Sequence, residues 1–371
     1  QRTLLALTTG KIKTPGIAPN QPSSWHKNKY GYDIVILSHK NFIEYIQPLK
    51  SLRELQGLSV ALIDIEDIYD EFSFGAKNPK ALKDFFSLAT AQWEKPLRFV
   101  LLTGDASLDP RNYLGFGDLD FLPTKLIDTN YMETASDDWF VDINNDALPD
   151  MAIGRLPVQS PEEAATVVAK LISYETTGAL NEALLVADKT EPQDGFDFER
   201  AIEEIEELLA PYLMVQKLYR GAYSSDAYAK GALLSSIDQG PLLVNFIGHG
   251  SLETWRGSIL TSDDALSLTN TRLPFFVSMT CLNGFFQYPY ADALAEALMK
   301  AQGGAVAVWT SSGLTEPSVQ TLLNKELIKL LFNGKSLTLG EATAKAKSSV
   351  GDSDIRRTWI LFGDPAMRLK Y

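Results

Sequence analysis

The sequence predicts an α/β fold with mostly parallel sheets flanked by helices, arranged in two sheet-containing halves. Short apolar runs alternate with segments of helical spacing along most of the 371 residues. Several of these runs are continuously apolar, which is typical of parallel strands that are covered on both faces. The alternation restarts near residue 180, so we expect halves over 31–180 and 181–371, preceded by an extended, proline-containing arm over 1–30.

The first half begins with a strand–helix–strand unit and closes with a capped helix. We predict strands over 32–38, 58–65 and 98–105, and helices over 42–57, 79–93 and 160–175. Gly57 ends the first of these helices. The last one begins with Ser160 as its N-cap, Pro161 in the first turn and Glu163 at the capping-box position.

The second half repeats this alternation over a longer stretch. We predict strands over 182–189, 214–219, 273–281, 303–312 and 359–369, one more strand within 243–251, helices over 198–211, 225–238 and 290–302, and two further helical stretches before the last strand. Such a regular alternation implies strands that are mostly parallel and sandwiched between helices.

Charge and composition exclude several classes of function. The formal net charge of −13 repels a phosphate backbone, and no stripe of Lys and Arg interleaved with aromatic residues opposes it, so we expect no nucleic-acid partner. No apolar run approaches the roughly 18–20 residues that span a bilayer, and no signal peptide is recognisable. Because the chain begins with Gln1, we expect a processed form or a fragment of a longer protein.

Two residues with reactive side chains follow apolar strands of the second half. His249 lies between Gly248 and Gly250, and Cys281 is the single cysteine, which excludes a disulfide framework or a multi-cysteine metal site. In open parallel sheets, ligands gather at the carboxyl ends of strands, and one crossover between these two strands would place them side by side. An imidazole beside a thiol promotes the nucleophilic thiolate, so the pair predicts nucleophilic catalysis.

Each of these residues also has a structural interpretation. A free cysteine is among the most buried residue types, and a histidine in a loop is commonly structural. The coincidence of both at strand ends favours the catalytic interpretation. There, the glycines would let the backbone bend and approach a ligand, and the amides of Gly250 and Cys281 would stabilise an oxyanion. His26 and His39 are interpreted as structural.

Three segments around these residues resemble the catalytic core of the gingipain-type cysteine peptidases, relatives of caspases, legumain and separase. They are LLVNFIGHGSLETW, LTNTRLPFFVSMTCLNGFF and ADALAEALMKAQGGAVAVWTSS. The blocks LLTGDASLDP, ASDDWFVDINNDALPDMAIGRLPV and LFGDPAMRL extend the resemblance from about residue 32 to the carboxyl end. The resemblance implies a caspase-like fold, a protein or peptide substrate, no catalytic cofactor, and a bacterial protein that is secreted or on the cell surface.

The resemblance also implies roles for individual residues. His249 would be the general base and acid, and Cys281 the nucleophile. An acidic residue that orients the histidine would be Asp188, with Glu191 as the alternative, although Asp188 has an equal interpretation as a turn or cap residue.

The resemblance further implies a preference for cleavage after basic residues, through an acidic group in the primary pocket. Asp197 and Glu316 are the candidates, and Trp255 is a candidate wall of that pocket. An acid ahead of a helix is, however, often a cap.

The segment DINNDALPD predicts a structural calcium site. Asp142, Asn144, Asp146 and Asp150 offer oxygens at alternating positions followed by a later carboxylate, and Ca²⁺ prefers 6–8 oxygen ligands. Ala147 stands where an EF-hand loop has glycine, and the distant glutamate is missing. An Asx-rich turn without metal is therefore the alternative, while the resemblance favours calcium.

Taken together, the residues and the resemblance predict a cysteine endopeptidase that works through a Cys281–His249 dyad and an acyl-enzyme. Two alternatives remain open. A sortase-like transpeptidase of the same family would form the same acyl-enzyme and pass it to a different nucleophile. A calcium-stabilised surface module with a dormant site would leave Cys281 unreactive.

Overall fold

A computed structural model describes residues 22–334 and 337–371, together with residues 8 and 10. In this part of the chain, one ten-stranded sheet runs through both halves. Its strands, in spatial order, are β2 (Val60–Asp64), β1 (Ile34–Ser38), β3 (Phe99–Thr103), β6 (Ala152–Leu156), β14 (Trp359–Phe362), β13 (Ala307–Ser311), β12 (Phe275–Met279), β9 (Leu243–Ile247), β7 (Glu182–Ala187) and β8 (Met214–Tyr219). Two hairpins are formed by β4 (Lys125–Asp128) with β5 (Glu133–Ser136), and by β10 (Gly250–Ser251) with β11 (Thr254–Trp255).

Helices cover the sheet and connect its strands. They are α1 (Ile43–Leu55), α2 (Ile65–Ser73), α3 (Pro79–Gln92), α4 (Pro161–Thr176), α5 (Phe198–Leu209), α6 (Asp226–Asp238), α7 (Ser262–Leu266), α8 (Leu294–Lys300), α9 (Pro317–Leu331), α10 (Leu339–Ala346) and α11 (Ser353–Thr358). In the described residues, no helix combines the length and the apolar character needed to span a membrane.

Both faces of the sheet are buried. In β1, Ile34 and Ile36 pack into one hydrophobic cluster, whereas Val35 and Leu37 pack into another. Successive side chains of a strand point to opposite faces, so this division means that the sheet is covered on both sides. The α/β prediction from continuously apolar runs is confirmed.

The strand β14 joins the two halves of the sheet. It pairs in parallel with β6 of the first half and antiparallel with β13 of the second half, while all other neighbours in the sheet are parallel. The strands of the two halves therefore run in opposite directions within one sheet. The sequence pattern indicated a sheet in each half, and the bounds 31–180 and 181–371 remain a prediction.

Most predicted elements are present, with bounds shifted by a few residues. The cap of α4 is confirmed, because the Ser160 side chain accepts a hydrogen bond from the Glu163 N–H. The strands β4, β5, β6, β10 and β11 and the helices α2 and α7 were missed, and three helices, rather than two, lie between β13 and β14. Most of the predicted arm over 1–30 lies outside the described residues; within 22–30, the main-chain N–H groups of Trp25 and His26 donate to Glu71 on α2.

Candidate active site

The register of β9 and β12 brings the two predicted catalytic residues to the same level. Ile247 pairs with Met279 at the carboxyl ends of these adjacent parallel strands. The Gly248 N–H continues the pairing by donating to the Met279 carbonyl at 3.2 Å. His249 and Cys281 each lie two residues beyond this last pair, so the two residues leave the sheet side by side.

Close packing explains the two glycines around the histidine. A Cβ atom on Gly248 would lie 2.3 Å from the Asp188 Cβ, and one on Gly250 would lie 2.6 Å from the Thr280 Oγ1. Neither glycine has a positive φ. The glycines therefore permit close approach of neighbouring segments, rather than a left-handed turn.

The imidazole of His249 lies against a buried carboxylate. Its Nε2 atom is 3.3 Å from Oδ1 of Asp194, whose side chain is only 6% exposed. Arg256 donates to both oxygens of the same carboxylate, at 3.0 and 3.2 Å. Burial alone would raise the pKa of Asp194, but the Glu191 N–H and Arg256 outweigh it, and the pKa lies below the ordinary value. His249 Nε2 has no hydrogen-bond partner among the described residues, so the contact is electrostatic, and an ionised Asp194 would stabilise a protonated His249.

The acidic candidates from the sequence lie close by, but neither contacts the ring through its side chain. The fully buried Asp188 accepts the main-chain N–H of His249 at 3.1 Å and binds Arg220 at 3.0 Å. The carboxylate of Glu191 pairs with Lys189 at 2.8 Å. Asp188 thus holds the backbone that carries the imidazole.

Sequence reasoning missed Asp194, three residues beyond Glu191. It lies in the loop that follows β7, where an orienting acid was expected, so its position in that loop was the available signal. Local spacing does not show how this loop folds back toward His249, because the contact depends on the distant Arg256.

The thiol of Cys281 contacts the loop that follows β13. The Thr315 N–H donates to Sγ at 3.4 Å, and Sγ lies 3.6 Å from the Thr315 carbonyl oxygen. The next residue, Leu282, has φ = 62°. This left-handed conformation is unfavourable for leucine and turns the chain sharply after Cys281. Within the described residues, the Cys281 N–H donates no hydrogen bond.

The loop after Cys281 is attached to the loop after His249. The Asn283 side chain donates to the Ser251 carbonyl and accepts from the Trp255 indole N–H at 2.9 Å. Trp255 is completely buried and stacks on Phe246, with ring centroids 4.0 Å apart. The interpretation of Trp255 as a pocket wall is therefore not supported, because its ring lies in the core and positions Asn283.

The two predicted pocket acids differ in their surroundings. Asp197 is exposed and caps α5 by accepting the Arg200 N–H at 2.9 Å. Glu316 is also exposed and follows Thr315, the residue in contact with the thiol. The hydroxyl of Tyr131, at the tip of the β4–β5 hairpin, donates to Glu316 at 2.7 Å. Of the two acids, Glu316 is the one attached to the surroundings of Cys281.

The predicted calcium loop is closed by its own hydrogen bonds. Asp142 accepts the N–H groups of Asp146 and Ala147, and Asp150 accepts the Ile143 N–H at 2.8 Å. Ala147 has φ = 66°, which is the conformation that glycine favours at this position of an EF-hand loop. Among the described residues, no three His, Cys, Asp or Glu side chains are grouped closely enough to hold a metal ion. Calcium therefore stays a prediction.

Comparison with known sequences gives one consistent family. Peptidase family C25 matches residues 27–370. Gingipain R2 of Porphyromonas gingivalis strain W83 is 25% identical over 362 residues, which cover 91% of this chain and 46% of that protein. Gingipain R1 of Porphyromonas gingivalis is 28% identical over 253 residues, which cover 62% of this chain and 25% of that protein. The chain thus spans less than half the length of these curated relatives.

Comparison with solved structures agrees with this family. The crystal structure of the Arg-specific cysteine proteinase gingipain R has a TM-score of 0.76 and 24% identity, with 94% of this chain and 80% of that chain covered. Dimeric latent PorU from Porphyromonas gingivalis has a TM-score of 0.51 and 20% identity, with 95% and 32% covered. These likenesses show the fold. The match over residues 27–370 shows that the chain belongs to peptidase family C25, a family of cysteine peptidases.

Proposed function

We propose that this chain is a cysteine endopeptidase in which Cys281 is the nucleophile, His249 the general base and acid, and Asp194 the residue that orients His249. The observation that supports the proposal is the pairing of Ile247 with Met279, because His249 and Cys281 each follow this pair by two residues. The ionised carboxylate beside Nε2 supports it, because it leaves Nδ1 as the nitrogen available to the thiol.

The reaction would proceed through an acyl-enzyme. The Cys281 thiolate attacks the carbonyl carbon of the scissile bond, and the oxyanion accepts the N–H groups of Cys281 and Gly250. The carbon–nitrogen bond then breaks as His249 gives its proton to the leaving amine, and the acyl group remains bound to sulfur as a thioester. A water molecule that His249 deprotonates attacks the carbonyl carbon of the thioester. The carbon–sulfur bond then breaks, which releases the new carboxyl end, and the sulfur regains its proton from His249.

We infer a preference for a basic residue before the scissile bond, with Glu316 as its partner. The carboxylate of Glu316 is exposed to solvent and follows the residue that contacts the thiol, so a cationic side chain bound next to Cys281 would reach it. Asp197 supports this preference less well, because its carboxylate already caps α5.

A structural calcium ion and an extracellular location are also part of this proposal. The oxygens of Asp142, Asn144, Asp146 and Asp150 would hold the ion, whose charge would offset the carboxylates without contact with the thiol. The relatives from Porphyromonas gingivalis support a bacterial protein that is secreted or on the cell surface.

A cleavage profile with a peptide library tests the function, with Cys281→Ala as the control. We expect the wild-type protein to cut peptides and the variant to be inactive. Alkylation of Cys281 by iodoacetamide in the folded protein should proceed together with loss of activity. Absence of both cleavage and alkylation would contradict the proposal and favour a dormant surface module. If the new carboxyl end of the product is joined to an added amine instead of being a free carboxylate, the protein is the sortase-like transpeptidase.

A further inference from the structure

A row of aromatic rings leads away from the loop that carries the nucleophile. Phe285, four residues after Cys281, lies 5.9 Å from Tyr288, measured between ring centroids. Tyr288 lies 5.0 Å from Tyr290, and Tyr290 lies 4.5 Å from Phe116 on the loop between β3 and β4. We call these four residues the aromatic ladder. Phe285 and Tyr288 are half-buried, whereas Tyr290 and Phe116 are 54% and 47% exposed.

The ladder is held in place by buried neighbours in the same loop. Phe286 is 1% exposed and packs against the ring of Phe362 and the guanidinium of Arg155. Gln287 is equally buried and donates to the Thr134 hydroxyl at 3.1 Å. The buried side chains of Phe286 and Gln287 fix the loop, so the rings of the neighbouring residues stay at the surface.

The loop that carries Phe116 is also built to present apolar groups. The Asp109 carboxylate accepts the N–H groups of Tyr113 and Leu114, whose side chains are both exposed. The Leu108 N–H donates to the Gln287 carbonyl at 2.8 Å, which attaches this loop to the loop after Cys281. Clustered exposed apolar groups on ordered segments are typical of interaction sites. Rigid aromatic rings lose little conformational entropy when they bind.

We propose that the aromatic ladder binds the substrate polypeptide beside the scissile bond and selects chains with a bulky apolar side chain there. Continuity with the candidate active site favours the substrate as the occupant, because the ladder begins at Phe285, in the loop that follows Cys281. Its ring-to-ring path is at most about 15 Å long, which matches roughly four to five extended residues. The inference rests on the proposed peptidase function and adds a second selected position to it.

The test is a scan of one phenylalanine through an otherwise alanine-flanked peptide that the enzyme cuts. We expect phenylalanine at one position within about five residues of the bond to raise kcat/KM about tenfold over alanine. Tyr290→Ser and Phe116→Ser should abolish this gain, so that each variant cuts the phenylalanine peptides no faster than the all-alanine peptide. Tyr30→Ser is the matched control, because Tyr30 is an aromatic residue that is 81% exposed and lies far from the ladder. It precedes β1, and four strands of the sheet lie between β1 and β12.

Each other outcome has a definite meaning. A wild-type enzyme without a positional gain, or ladder variants that keep the gain, would overturn the inference while the peptidase function stands. Ladder variants that change only self-association, measured by sedimentation, would assign the surface to a second copy of the chain and also overturn it. If no peptide is cut and iodoacetamide does not modify Cys281, the proposed function fails, and the inference fails with it. Equal melting temperatures and alkylation rates confirm that the variants fold.

Discussion

The Nε2 atom of His249 lies 3.3 Å from the carboxylate of Asp194, a residue that local sequence spacing does not connect with the histidine. Arg256 binds the same carboxylate, so the acid cannot easily turn away from the ring. Asp188, the stronger candidate from the sequence, instead binds the His249 main chain. The two aspartates therefore make different contacts with His249, one with its ring and one with its main chain.

Replacement of these aspartates should separate the two roles. Asp194→Asn removes the charge beside the imidazole, and we expect kcat to fall on the order of a hundredfold, within the range for acid–base groups. Asp188→Asn should mainly lower the free energy of unfolding, by about 1–3 kcal/mol, because it weakens buried bonds to Arg220 and the His249 N–H. Single-turnover kinetics tests the predicted loss of activity in Asp194→Asn, and denaturant unfolding tests the predicted loss of stability in Asp188→Asn. Equal kcat in wild type and Asp194→Asn would contradict the orienting role.

Asp194 should also contribute to the pH dependence of stability. Its pKa is lowered in the folded protein, because the Glu191 N–H and Arg256 outweigh the effect of burial. The unfolded chain then binds more protons in acid than the folded chain, so the stabilisation is complete above the ordinary carboxyl value of 3.8 and is lost as pH falls below it. Denaturant unfolding at pH 7, 5 and 3 should show a constant gap between wild type and Asp194→Asn at the two higher values and a smaller gap at pH 3.

The glycines around His249 should not tolerate a methyl group. Gly248→Ala would force a Cβ against Asp188, and we expect a loss of about 1–3 kcal/mol in the free energy of unfolding. Gly250→Ala would push the hairpin away from Thr280 and should reduce kcat more than stability. Gly231→Ala is the control, since nothing lies within 4 Å of its added Cβ in α6 and alanine favours the helix. An active, fully stable Gly248→Ala protein would show that this packing is not needed.

The carboxylate of Glu316 should decide any preference for basic residues. Glu316→Gln keeps the contact with Tyr131 possible but removes the charge, so kcat/KM for peptides with Arg or Lys before the bond should fall about tenfold, equivalent to about 1.4 kcal/mol. Peptides with an apolar residue there should be cut as before. Asp197→Asn is the matched control, because asparagine is an equally good cap for α5. Loss of the preference in Asp197→Asn alone would assign the pocket to Asp197.

The loop with Asp142 and Asp146 should report calcium through thermal stability. If calcium binds there, a chelator should lower the melting temperature of the wild-type protein, since a ligand that binds only the folded state stabilises it. Asp146→Ala should melt at one temperature with or without chelator. The Ala147→Gly variant should be more stable by about 1 kcal/mol with or without calcium, because it relieves a left-handed alanine. If neither a chelator nor added calcium changes the melting temperature of the wild-type protein, the loop is a turn without metal.

The parts of this protein that were predictable are those with a local signal. Apolar runs between helical segments identify strands such as β9 and β12, and a lone cysteine and a glycine-flanked histidine at their ends point to the site. Long-range partners have no such signal. Trp255 could be expected at a pocket, yet its ring is buried, because Phe246 and Asn283 provide the complementary surface and hydrogen bond. The strand β6 was missed because Gly154 and Arg155 interrupt its apolar pattern. Arg155 is nevertheless buried, because its guanidinium donates hydrogen bonds to Asp137 and to three carbonyl oxygens.

The place of β14 has a consequence for biosynthesis. During translation, β6 and β13 leave the ribosome long before residues 359–362, and each then exposes an edge without its neighbour. The sheet can close only after the ribosome has passed Phe362. A nascent chain would thus already contain His249 and Cys281 while β14 does not yet join the two halves of the sheet. Stalling before that point would leave the edges of β6 and β13 unpaired, and unpaired strand edges promote aggregation.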